Sequence, residues 1–210
     1  MKDFKIRCSA IGQIMGNARS KGELSAGTIT YLKNWYAEQK YNDREQIFSK
    51  YFAKGNQQEN EAIEVVVDRF NLGIGLKNTT YFENEYMTGT PDLLSSDTVF
   101  DTKCSWNGKT FLDSIIGLID KDYEWQLIGY MALTEKKKAS LCYVLLNTPE
   151  ESNFGNEVIY DEIDISERFF SFDFELDENK VNEIESKVIK CREWLEGYDN
   201  KIKSLLNKVK

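Results

Sequence analysis

The stretch 139–147, ASLCYVLLN, constrains the fold more than any other part of this chain. A strand with one wet face alternates apolar and polar residues. This run is apolar throughout and reads as a strand buried on both faces, which requires structure packed on either side of its sheet. The surrounding pattern supplies that structure. Residues 78–86, 88–94 and 98–105 read as strands, 158–165 as a weaker one, and 123–133 as a helix packing through Trp125, Leu127, Ile128 and Met131. Upstream, Ile11, Ile14 and Met15 mark a short helix for which Ser9 suits an N-cap. A turn rich in Gly and Ser over 20–27 precedes a helix over 28–40, and a shorter one follows over 44–53. Gly55 is expected to break the pattern before a helix over 57–70, with Glu59 in its first turn on the face of Ala62 and Ile63. The order predicts an α/β domain, a central mixed β-sheet flanked by helices.

The last segment carries a heptad-like seam, Val181, Ile184, Val188, Cys191, Leu195, Tyr198, Ile202, Leu205 and Val209. It predicts a long terminal helix over about 177–210, docked on its own domain or serving self-association, with Gly197 a point where it could kink. With no repeat or linker in 210 residues, the expectation is one domain, 1–210, its core over about 5–165.

Composition removes whole classes of chemistry. There is no histidine, so Ser-His-Asp and Cys-His catalysis and His-ligated zinc are excluded. Cys8, Cys104, Cys142 and Cys191 form no CxxC pair, which speaks against a zinc site, an iron–sulfur cluster and a disulfide framework. They read as small hydrophobes in a reducing compartment. No apolar run reaches the roughly 20 residues of a membrane span, and the opening MKDFKIRCSAIGQ lacks the apolar core of a signal peptide, so a cytoplasmic location is expected. The net charge of −8 argues against tight nucleic-acid binding. Against this, basic residues cluster locally, at Lys136-Lys137-Lys138 for example, and a bound divalent cation reverses the sign of an acidic site.

Carboxylates, lysines and hydroxyls remain, with hard cations such as Mg²⁺ or Mn²⁺. Asp101 and Lys103 lie two apart in a strand-like run and so share one face. Asp92 stands nine residues before Asp101, and a hairpin through Ser95-Ser96-Asp97 brings the two together. A lone Asp-x-Lys is usually a surface ion pair. Here it lies in an otherwise apolar strand, where charges are costly without partners. A helix carrying Glu59 comes before it, and a helix placing Gln126 and Tyr130 on one face comes after it. Three acids and a lysine on one surface can hold a divalent cation and orient a water, the apparatus of phosphodiester hydrolysis.

These residues resemble the PD-(D/E)XK nuclease superfamily, and within it the phage lambda exonuclease type, also called viral recombination exonucleases. The matching pieces are Gly55-Asn56-Gln57-Gln58-Glu59-Asn60, Thr90-Pro91-Asp92-Leu93-Leu94, Asp101-Thr102-Lys103-Cys104 and Trp125-Gln126-Leu127-Ile128-Gly129-Tyr130-Met131. The resemblance implies a restriction-endonuclease-like core and a 5′→3′ exonuclease acting on linear double-stranded DNA. Its product would carry a 3′ overhang for a single-strand annealing partner, in a phage or prophage setting, with a ring-shaped homo-oligomer as the form of the enzyme. It implies Mg²⁺, with Mn²⁺ as substitute, held by Asp92, Asp101, Glu59 and the carbonyl of Thr102, with Lys103 beside the attacking water. Gln126 and Tyr130 would position these groups, and Ser9, Arg7 and Lys109 would meet a DNA 5′-phosphate. Asp101 stands where many relatives carry a glutamate. Three other readings stand beside this one: an endonuclease or single-strand nuclease on the same fold, a non-catalytic nucleic-acid-binding module, and an α/β protein in which Asp101 and Lys103 merely pair.

Overall fold

The apolar run forms β6 (Lys138–Val144), inside a four-stranded sheet of order β4-β5-β6-β7. The computed structural model describes residues 4–18, 20, 23–42, 50–73, 75–150 and 156–208, and for 50–57 the backbone alone. The sheet is mixed. β4 (Leu93–Leu94) pairs antiparallel with β5 (Thr98–Cys104), β5 runs parallel to β6, and β6 pairs antiparallel with β7 (Phe169–Glu175).

Alternate side chains of β6 enter different cores, which explains the absence of a polar face. Ala139, Leu141 and Tyr143 pack with α1 (Ile11–Met15), α5 (Lys121–Thr134) and α6 (Glu178–Asn207). Cys142 and Val144 face the opposite way, onto Ala62, Ile63 and Val66 of α3 (Lys50–Arg69). Ser140 is buried and donates to the Asp173 carboxylate on β7, which satisfies the one hydroxyl on that side. The parallel β5–β6 pair needs a crossover, supplied by α4 (Gly108–Ile116) and α5. A smaller sheet of order β1-β3-β2 joins β1 (Ile6–Arg7), β2 (Phe82–Glu83) and β3 (Met87–Gly89). The remaining helix, α2 (Ala26–Tyr41), starts at Ser25, whose hydroxyl accepts from the Thr28 N–H at 3.1 Å.

The terminal helix α6 is docked on its own domain. Ile184, Val188, Cys191 and Leu195 are buried, Val181 and Ile202 pack beside them, and Trp194 stacks on Tyr198 at 4.8 Å. Tyr198 meets the Tyr36 ring edge-on at 5.2 Å, and the Tyr36 hydroxyl donates to Asp199 at 2.7 Å. The helix runs through Gly197 without a break, with these contacts on either side of it. Leu205 is exposed, and Val209 lies outside the described residues.

Several expectations are corrected. Gly55 does not break the chain: α3 is continuous from Lys50 to Arg69, which moves Glu59 from the first turn to the third. A helical glycine costs about 1 kcal/mol, less than the burial of the Ala62–Ile63–Val66 face returns. The helix expected over 44–53 falls outside the described residues up to 49, and its last four residues open α3. Ser9 caps nothing: it is exposed in a 3-10 turn, Cys8–Ala10, and Ala10 precedes α1 without a side-chain bond. The strands expected over 78–86 and 88–94 shrink to pieces of two or three residues. Asn78 accepts from the Thr80 N–H, and Asn84 from those of Tyr86 and Met87, turning the backbone locally instead of pairing it. Residues 158–165 form only a single bridge, Thr148 to Val158, and the strand in that region is β7 instead.

Candidate active site

The site sits on an open edge of β5, and the length of β4 creates it. β4 covers only Val99 and Phe100, so from Asp101 onward no strand among the described residues pairs that edge. The N–H of Thr102 would be left without a partner there. Asp92, two residues before β4 ends, supplies one: its Oδ2 accepts from the Thr102 N–H at 2.7 Å and from the Thr102 hydroxyl at 2.9 Å. The hairpin places it, closed by the Ser95 N–H on the Thr98 carbonyl at 2.9 Å. The N–H and C=O of one strand residue leave the strand on the same side, so the Thr102 carbonyl also faces this edge.

Asp101 and Lys103 share the α5 face of the sheet, as their spacing predicts. Asp101 is 2% exposed, and both its oxygens meet side chains. Oδ1 accepts from the Gln126 amide at 2.8 Å, and Oδ2 has no hydrogen bond, meeting only the Lys103 ammonium at 2.6 Å. Gln126 in turn donates to the Tyr130 hydroxyl at 3.3 Å, so α5 presses two polar groups of one helical face onto the strand. Two glycines make room for side chains here. A Cβ on Gly129 would lie 2.9 Å from Cys8 Sγ, and one on Gly89 would lie 2.7 Å from the Tyr130 ring.

Burial and the neighbouring Asp101 push the Asp92 carboxyl up to about 6, against the two bonds from Thr102 that stabilise its charged form. Burial alone would lower Lys103, but Asp101 and then Asp92 raise it above its ordinary value, so it is an ammonium at neutral pH and no general base. Burial, with Asp101 next, raises Tyr130, which stays a neutral phenol. Two carboxylates are thus crowded together with one ammonium, paired with Asp101. One of the two oxygens of a buried carboxylate has no hydrogen bond, and a hydroxyl and a carbonyl stand at the same edge. That donor set, all hard oxygen, fits a divalent cation of the Mg²⁺ type.

The structure therefore brings together Asp92, Asp101, Thr102, Lys103, Gln126 and Tyr130. Glu59 is on the wall opposite α5, where its carboxylate pairs with Lys77. Lys77 leads into Asn78, whose N–H donates to the Asp92 carbonyl at 2.7 Å, so Glu59 is tied to the same edge through that segment. Among the described residues, no three His, Cys, Asp or Glu side chains stand close enough to form a metal cage. Arg7 is exposed on β1 with its charge near Tyr31, Ser9 is exposed beside it, and Lys109 pairs with Asp113 along α4 at 2.5 Å. Tyr123 is the site residue that sequence reasoning missed. Its ring lies 4.9 Å from the Lys103 ammonium and meets Tyr143 edge-on at 6.5 Å. Its signal was available, since it precedes Gln126 by three residues on the same helical face.

No family model matches the chain, and no curated protein matches it. Among solved structures it is similar to a phage-related exonuclease from Haemophilus somnus 129PT, at 24% identity and a TM-score of 0.84, over 95% of this chain and 97% of that one. It is also similar to an alkaline exonuclease from Laribacter hongkongensis, at 17% identity and a TM-score of 0.75, over 98% of this chain and 95% of that one. That exonuclease has also been solved in complex with dAMP, and the likeness to that structure is the same. The likeness is one of fold: over nearly its whole length this chain has the architecture of those exonucleases. It agrees with the resemblance to lambda-exonuclease-type nucleases that the motifs carry.

Proposed function

We propose that this chain is a metal-dependent exonuclease that degrades linear double-stranded DNA in the 5′→3′ direction and leaves 3′ overhangs. The observation that supports it most is the open edge of β5, where Asp92, Asp101 and Lys103 meet on an exonuclease fold. Asp92, Asp101 and the Thr102 carbonyl would hold Mg²⁺, or Mn²⁺ in its place. Glu59, paired with Lys77 here, would complete the set if that pairing opened. When bound, the cation neutralises the phosphate and stabilises charge on the attacking and leaving oxygens.

The chain's own groups do the rest. Lys103 stays charged beside Asp101, where it orients the attacking water and counters charge growing on the phosphate. Gln126 fixes Asp101 by one oxygen, and the other, which meets only the Lys103 ammonium, would turn to a ligand. Tyr130 holds Gln126, and the face of Tyr123 holds the ammonium. Arg7, Ser9 and Lys109 are assigned to the 5′-phosphate by the resemblance, which also suggests a ring-shaped oligomer and an annealing partner. The α6 seam is occupied by its own domain over 181–202, so an oligomer would use another surface.

The test uses duplexes labelled at either the 5′ or the 3′ end, beside covalently closed circles, with Mg²⁺ or EDTA. Early release of 5′-label as mononucleotide, intact circles and silence in EDTA are expected. Cleaved circles would make the chain an endonuclease, and early release of 3′-label would reverse the polarity.

A further inference from the structure

We infer that a second cleft, between α1, α5 and α6, is a subsite for single-stranded DNA. The inference takes DNA as the ligand class from the nuclease reading above, and goes beyond it in assigning a grip outside the catalytic centre. Trp125 and Gln126 are neighbours on α5, about 100° apart around the helix. Gln126 enters the catalytic centre, and Trp125 lines a separate cavity of about 800 Å³. Lys121, Lys187, Lys190, Asn17 and Asn182 line it as well, with the carboxylates of Asp122 and Glu183.

The gathering of three lysines around one cavity distinguishes this cleft. Elsewhere among the described residues, Lys5, Lys77, Lys103, Lys109, Lys137, Lys138, Lys180 and Lys203 pair with a carboxylate, while Lys33, Lys40, Lys136, Lys201 and Lys208 make no ion pair and do not line this cavity. Among the described residues, Lys121, Lys187 and Lys190 stand in no ion pair, although two acids share their cleft. A chain of net charge −8 repels a polyanion at a distance, so any hold on DNA has to be local. Three ammonium groups without an ion pair, two amides and a half-buried indole, over whose ring the Lys180 ammonium sits 5.7 Å from the centroid and would give way to a base, supply both halves of such a hold. Lysines take phosphates, and an indole takes the face of any base without reading its sequence. The volume decides between strand and duplex. It is at the upper end of small-ligand pockets, room for roughly one or two nucleotides, so a single strand enters and a duplex does not. Because Trp125 and Gln126 are adjacent in the chain, a strand held here is also held close to the reacting end.

The experiment measures fluorescence anisotropy of a labelled oligodeoxythymidine of about ten nucleotides in EDTA, where no hydrolysis intervenes. Lys187→Ala/Lys190→Ala is expected to bind about tenfold more weakly than wild type with an unchanged melting temperature. Its affinity should also depend less on salt, by about 1.4 in the log–log slope for two lost phosphate contacts. Trp125→Leu is expected to lose a similar factor while keeping the wild-type salt slope. Binding by the lysine variant within twofold of wild type, or no binding by wild type, overturns the inference. Duplex hydrolysis in Mg²⁺ is read on the same preparations. A lysine variant that loses the oligomer while no preparation cuts DNA supports the cleft and sinks only the nuclease reading. Active preparations whose lysine variant binds normally sink only the cleft.

Discussion

Asp92→Asn should make the metal-free protein more stable while removing its activity. Asp92 is a half-buried carboxylate whose folded-state pKa is raised from 3.8 to about 6 by burial and by Asp101. The folded protein therefore binds a proton at Asp92 more tightly than the unfolded chain does. Stability falls as pH rises from about 4 to about 6, and at neutral pH the whole penalty is present. Two units correspond to about 3 kcal/mol, reduced toward 1 by partial exposure. Asparagine removes the charge and keeps an oxygen for the Thr102 N–H and hydroxyl. Urea denaturation in EDTA, followed by tryptophan fluorescence, should show a gain of about 1–3 kcal/mol at pH 7, roughly 2–10 °C in melting temperature, shrinking to nothing near pH 4. Adding Mg²⁺ should stabilise wild type and not the variant. A variant no more stable than wild type at pH 7, or a gain independent of pH, would refute the idea that two crowded carboxylates store this cost for a cation.

Four further outcomes follow from the contacts. Lys103→Met leaves Asp101 Oδ2 without a partner and should slow single-turnover hydrolysis by about 10²–10⁴, with Lys103→Arg recovering part of the loss; equal rates for Lys103→Met and wild type would remove the lysine from the mechanism. Gln126→Leu strips the buried Asp101 of its amide donor and should lower unfolding free energy by about 1–3 kcal/mol in a urea melt, a loss absent if the bond is not made. Tyr123→Leu should lower kcat by about two- to thirtyfold with KM held, and Tyr123→Phe should restore it, since the ring face does the work. Ending the chain before Tyr198 removes the Trp194–Tyr198–Tyr36 contacts and the Asp199 acceptor. It should cost about 2–4 kcal/mol with no change in native mass, whereas a lowered mass at unchanged stability would make the helix end an oligomer contact.

What the sequence showed, and what it hid, follows from the range of the forces involved. β6 was readable because burial on both faces leaves no polar position in it, a property of the strand alone. Asp101 and Lys103 were readable for the same reason, since a period of two fixes their shared face wherever the strand goes. Asp92 needed only a hairpin of four residues. β7 was passed over although FFSFDFE alternates, because its pairing partner is β6, some thirty residues earlier in the chain. α4 is short, and its start depends on the reciprocal bonds between Asn107 and Thr110 rather than on a long apolar period. Gly55 misled because a local propensity near 1 kcal/mol was set against tertiary burial several times larger. Lys77, which holds Glu59, and the lysines of the second cleft had no signal at all. Each depends on elements far apart in sequence arriving at one place.

The central claim is that the Asp92–Asp101–Lys103 edge hydrolyses phosphodiesters with a divalent cation. Its most direct test is single-turnover digestion of 5′-phosphorylated linear duplex in Mg²⁺ by wild type and by Asp101→Asn, both shown to be folded. Wild type should degrade the duplex, and Asp101→Asn should be slower by about 10³ or more. Equal rates for the two proteins, or a wild-type rate undiminished in EDTA, would contradict the account.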